Sequence, residues 1–178
     1  MEHKRLVMNN INKNKDTDTG WDSLPEHLKS DLIIQVFKEL DLVKDHTRLL
    51  VLVTHGFIEL LTNALIDHYL KNSKKITADS RSYPHSTKLL ILNELGLIDD
   101  NQYKTYNWFR RLRNKAAHEP IFHVTKDNLS DIENPEKYTN PTEFYTMCVN
   151  IIGGFWNQHI PVFGPIFAPG AVSENIDS

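Results

Sequence analysis

The segment Arg113-Asn114-Lys115-Ala116-Ala117-His118 sets a guanidinium, an amide and an imidazole within six residues. Duplicated, that set can cleave a phosphodiester without a metal. One imidazole takes the proton from a ribose 2'-hydroxyl, a second protonates the leaving oxygen, and arginine stabilises the charge building on phosphorus. DNA, which lacks the hydroxyl, is spared. On an ideal helix, however, Arg113 and His118 point about 140° apart. They meet on one phosphate if the helix frays at His118, which Pro120 encourages by disfavouring helical geometry at Glu119. The other route is a two-fold axis that brings a second copy of the motif across from the first. A plainer structural reading stands beside this one. His118 can serve as a cation at the negative end of the helix dipole, and Arg113 can tie two helices together through a carboxylate such as Glu59.

The field around the motif is positive, because Asn101 to His118 contains no Asp or Glu but does contain Lys104, Arg110, Arg111, Arg113 and Lys115. Residues 104, 108, 111 and 115 share one helical face, a Lys-Trp-Arg-Lys stripe. A basic face with an interleaved aromatic can bind phosphate and stack a base. Equally, cations near a helix C-terminus stabilise it by about 0.3–1 kcal/mol each, and Trp108 can be half-buried core. His55 and Glu59, four residues apart on another helix, could offer two metal ligands. No third ligand stands at fitting spacing, so they read better as a hydrogen-bonded core or interface pair that supports the site. His118 and His123 carry no better case. Glycine loops for phosphates, nucleophile elbows and paired cysteines are lacking, so neither a metal nor a cofactor is expected.

The elements that must position these groups are helical throughout. Ser23 and Pro25 open a first helix over about 25–40, with Leu28, Leu32, Ile33, Val36, Phe37 and Leu40 at helical spacing. From about Lys44 to Lys71 the chain is apolar nearly all round, as befits the central helix of a bundle. Residues 72–83 read as a polar connection. Pro84 starts a third helix, stopped by Gly96 as a left-handed cap. Asp99 and Asp100 start the fourth, which should end near His118, and a loop with one short turn near Asp127–Ile132 follows. Asn140-Pro141 is the cap and first turn of a fifth helix ending near Gln158, weakened at Gly153-Gly154. Beyond Ile160 the Pro/Gly-rich chain reads as irregular, with Val162, Phe163, Ile166 and Phe167 free to pack on the bundle. The expectation is one all-α domain of about five helices over 21–160, a flexible tail over 1–20, and an irregular tail over 161–178.

Composition narrows the function classes. With 20 Lys plus Arg against 23 Asp plus Glu in 178 residues, the net charge is -3, so any polyanion must be held by a local patch and not by the whole molecule. The single cysteine, Cys148, cannot form an internal disulfide and reads as a small buried hydrophobe. The polar N-terminal stretch has neither signal-peptide nor spanning character. These features point to a cytoplasmic protein without a membrane partner.

The run from Lys88 to Pro120, KLLILNELGLIDDNQYKTYNWFRRLRNKAAHEP, resembles the HEPN superfamily, and in particular the mannitol operon repressor and related bacterial families. The shared features are a leucine-rich helix, an LGLI turn, an acidic helix start and the Arg-Asn ending that closes on His118. The helix carrying HGFIELLTNALIDHYL is similar to the family's partner helix, which has an acidic residue in the place of Glu59. The likeness covers roughly residues 44–120. It implies a bundle that dimerises with its Arg/His motifs facing each other. In the toxin branches that cleft is a metal-independent ribonuclease, with Arg113, Asn114 and His118 as the matching positions. In the repressor-like branch the same signature sits in a regulatory module. The expected partners are a second copy, RNA, and an antitoxin or regulatory protein.

Overall fold

A helix with little polar face has to be wrapped by others, and the segment Thr47–Tyr69 is. The computed structural model describes residues 32–167, and all the regular structure in them is helical. α1 runs Leu32–Leu42, α2 Thr47–Tyr69, α3 Ser73–Ala78, α4 His85–Glu94, α5 Asp100–His118, α6 Pro141–Gln158 and α7 Ile160–Phe167. Two 3-10 turns, Lys126–Leu129 and Lys137–Thr139, lie in the α5–α6 connection. α2 packs against all six other helices or their connections, α5 and α6 most extensively. By length and composition α2 could cross a membrane, but 56% of its most apolar stretch is buried inside the bundle. Its inward residues Leu50, Val51, Ile58, Leu61, Leu65 and Ile66 form the middle of the core. Each such side chain contributes roughly 1.5–3 kcal/mol when fully buried.

Local chemistry sets three of the helix ends. Asp99 caps α5 by accepting a hydrogen bond from the Gln102 N–H at 2.8 Å, while the Gln102 side chain accepts from the Asp99 N–H at 2.9 Å. Asn140 caps α6 through the Thr142 and Glu143 N–H groups, with Pro141 in the first turn. At the end of α4, Gly96 takes φ +69°, and the Leu97 N–H donates to the Leu92 carbonyl at 2.9 Å. That is the left-handed cap expected at this glycine. Cys148 is buried, and burial pushes its thiol up to about 12, so it stays protonated.

Two expectations change. The connection 72–83 contains the short α3, in which the Thr77 hydroxyl donates to the Ser73 carbonyl at 3.0 Å. The chain beyond Ile160 is helical through Phe167 despite Pro161 and Pro165, and α7 belongs to the bundle. Phe163 is fully buried between Phe155 and Trp156, with ring centroids 6.0 and 5.4 Å away. Pro161 sits in the first turn, where its missing N–H has no intrahelical partner to lose. The glycine pair 153–154 lies inside an unbroken α6. The anticipated start of the first helix at Ser23–Pro25, the N-terminal tail and residues 168–178 lie outside the described residues.

Candidate nucleic-acid interface

α5 supplies nearly every residue singled out, and its two flanks differ in their fate. On the flank toward the α5–α6 connection, Trp108 is only 3% exposed and its indole Nε1–H donates to the Asn128 carbonyl at 2.8 Å. A base cannot stack on it. The expectation of a stacking aromatic is therefore corrected, because the turn at Lys126–Leu129 folds over that face. Arg111 pairs with Asp131 of the same connection, and a cavity of about 160 Å³ between them is lined by Leu112, Lys115 and Asp127 among others. Lys104 and Lys115 are exposed.

The other flank holds Arg110, Arg113 and Asn114, all half-buried. Arg110 donates from Nε to Asn107 Oδ1 at 3.0 Å, and Arg113 from Nη1 to Asn114 Oδ1 at 3.2 Å. Among the described residues neither guanidinium has a carboxylate partner. His118, the last residue of α5, is exposed and makes no described contact with Arg113. Fraying does not bring them together. The Glu119 N–H donates to the Lys115 carbonyl at 2.9 Å, and Arg48 of α2 donates from Nη2 to the Glu119 and Pro120 carbonyls at 2.8 and 3.0 Å. Arg48 thus caps the helix that Pro120 was expected to loosen. Within one chain the Arg113 and His118 side chains stay on different sides. Asn114 narrows the gap: it lies about 40° around the helix from His118 and holds Arg113 by its amide.

Of the two roles expected of Glu59, it stands beside His55 and does not reach the arginine. Its carboxylate lies 4.0 Å from His55 Nδ1, beyond hydrogen-bond length, and among the described residues it pairs with neither Arg113 nor His118. His55 is 4% exposed, and burial, then the charges of Arg113 and Arg110, lower its pKa to about 4. At neutral pH the ring is uncharged, so the contact with Glu59 is not an ion pair there. His55 stacks edge to face on His85 with 5.0 Å between centroids. His85 is 9% exposed and is held down to about 3, first by burial and then by His55, Lys88, Arg110 and Arg113. Lys88, 2% exposed, donates to neutral acceptors, Asn63 Oδ1 at 3.0 Å and the Thr77 carbonyl at 3.5 Å.

Sequence reasoning passed over His85 and Lys88. Their signal was present, since 85, 88, 89 and 92 form one inward stripe in which Leu89 and Leu92 are apolar. Polar groups on a core stripe mark a place where the core is not only core. Among the described residues no three His, Cys, Asp or Glu side chains converge as metal ligands. Comparison with family models, curated proteins and solved structures gives no match to this chain.

Proposed function

We propose that this chain binds RNA through the Arg110–Arg113–Asn114 flank of α5 as a symmetric dimer, in which His118 of one copy completes the site of the other and permits metal-independent cleavage. The observation that carries the reading is the pair of half-buried guanidiniums held, among the described residues, by amides and not by carboxylates. An arginine kept in place yet not neutralised is ready for a phosphate. The resemblance to the HEPN superfamily points the same way. The dimer is the part a single copy cannot supply, because one straight helix keeps Arg113 and His118 apart. α2 offers a surface for it: Leu49 and Leu60 are exposed on one stripe with Gly56, and nothing lies within 4 Å of a Cβ added at Gly56.

Labelled RNA incubated with the protein in chelator should be cut, and His118→Ala should abolish cutting while leaving binding intact. Gly56→Arg should fold normally, sediment as a monomer and lose cleavage. Intact RNA with a stable dimer would defeat the enzymatic half of the proposal. That outcome favours a second reading, a non-catalytic regulatory module of the repressor-like kind with a protein or antitoxin partner. What supports this alternative is that His118 is exposed with no described group orienting it, three residues before the exposed Ile121.

A further inference from the structure

Behind Arg110 and Arg113, at the seam of α2, α4 and α5, the polar groups are left incomplete. His55 Nε2 and both ring nitrogens of His85 are buried and have no hydrogen-bond partner. Three orphaned nitrogens in two touching rings mark polar capacity that the described residues leave unused. The charges that face the rings are unbalanced. Lys88 of α4 and Arg110 and Arg113 of α5 are cations, and among the described residues Glu59 of α2 is the carboxylate beside them. Such a seam repels a metal cation and attracts an anion.

We propose that this seam is a proton-linked seat for a phosphate-class oxyanion: the anion binds Arg110 and Arg113 on the open side, and one proton moves onto His55 behind them. The inference rests on the reading of α5 as a phosphate-binding flank and adds the buried imidazole behind it that takes up the proton. In the empty seat burial, and after it the arginine charges, keep both rings neutral. A bound oxyanion cancels the arginine field, so the ring nearest a carboxylate takes up a proton from solvent. That ring is His55, whose Nδ1 stands 4.0 Å from Glu59 Oε2. Protonation turns this contact into an ion pair. Only one ring takes the charge, because two imidazoliums with centroids 5.0 Å apart repel each other.

The test follows the imidazole resonances of His55 and His85 by NMR in the full chain at pH 5, with sodium sulfate as probe because it stays dianionic, and sodium chloride at matched ionic strength as control. Without sulfate about a tenth of His55 should be protonated at that pH, and saturating sulfate should make it mostly protonated, a rise of roughly tenfold or more in its proton affinity. Arg110→Gln with Arg113→Gln should erase the response, and Glu59→Gln should weaken it while leaving sulfate binding measurable. A short RNA oligonucleotide forms the second arm. A response to RNA but not to sulfate assigns the seat to nucleic-acid phosphodiesters, and a response to sulfate but not to RNA assigns it to free phosphate-class anions. If RNA binds but His55 responds to neither probe beyond the chloride control, the proton-linked seat is wrong and the reading of the α5 flank stands. If neither probe binds, both fall. The measurement is made on the unaltered protein, so a variant that fails to fold does not decide it.

Discussion

The two flanks of α5 begin with the same material, a run of Lys and Arg, and end as opposites. Toward the α5–α6 connection Arg111 is neutralised by Asp131 and Trp108 is sealed by Asn128. Toward α2 and α4, Arg110 and Arg113 face two neutral imidazoles and a buried lysine. On the first flank the arginine and the tryptophan are both tied to the connection that covers them, and the cations left over are the exposed Lys104 and Lys115. The second leaves charge and hydrogen-bond capacity unused. A basic helix is therefore not one functional object, and its function belongs to the side where neutralisation is missing.

Acid should act most strongly on the second flank and give the largest effect. Both imidazoles have folded-state pKa values, about 4 for His55 and about 3 for His85, below the ordinary value of 6.5, so the unfolded chain binds these protons first. The stability gained by keeping them neutral is complete above about pH 6.5 and is lost as pH falls toward 4 and then 3. With two protons taken up on unfolding, the steepest loss is about 2.7 kcal/mol per pH unit. Urea denaturation between pH 7 and 4 would measure it, and His85→Leu should make the curve shallower. A flat profile in the wild type would mean that the rings are not the neutral, buried pair described here.

Trp108→Ala should come next, with a loss of about 3–5 kcal/mol in the same denaturation experiment, as for other large aromatic truncations in a core. RNA affinity at a temperature where the variant is folded should be unchanged. A large affinity loss with normal stability would instead return the tryptophan to a stacking role. Arg113→Ala should give the mirror image. Stability should move little, affinity for single-stranded RNA should drop by about tenfold, and the slope of log affinity against log salt should shrink by about one.

Much of the frame was legible because its determinants are local. Asp99 with Gln102, Gly96, and Asn140 with Pro141 mark helix ends within four residues of themselves, and those ends stand where the sequence put them. α7 was not legible, since Pro161, Gly164 and Pro165 argue against a helix locally and the reason for one is tertiary, the packing of Phe163 on Phe155 and Trp156. α3, with six residues, is too short for periodicity to show. In the candidate site the residue types at 110, 113, 114 and 118 could be read directly, but their partners could not. Arg111 finds Asp131 twenty residues away, and Arg48 finds Glu119 and Pro120 more than seventy away. Which cation is left free depends on long-range pairing that spacing does not encode.

That dependence gives the smallest and most discriminating prediction. Asp131→Asn removes the carboxylate from Arg111 while leaving Trp108 and its hydrogen bond to Asn128 in place. Exposed ion pairs contribute about 0–1 kcal/mol, so stability should hardly change. If neutralisation is what separates the two flanks, the freed Arg111, with Lys104 and Lys115 beside it, becomes a second phosphate contact. RNA affinity at low salt should then rise a few-fold, and the salt slope should steepen by about one. Cleavage should not improve, because His118 and Arg113 are untouched. Unchanged affinity would show that freeing a cation is not enough, and that the α2–α4 backing of Arg110 and Arg113 is what makes their flank the binding one.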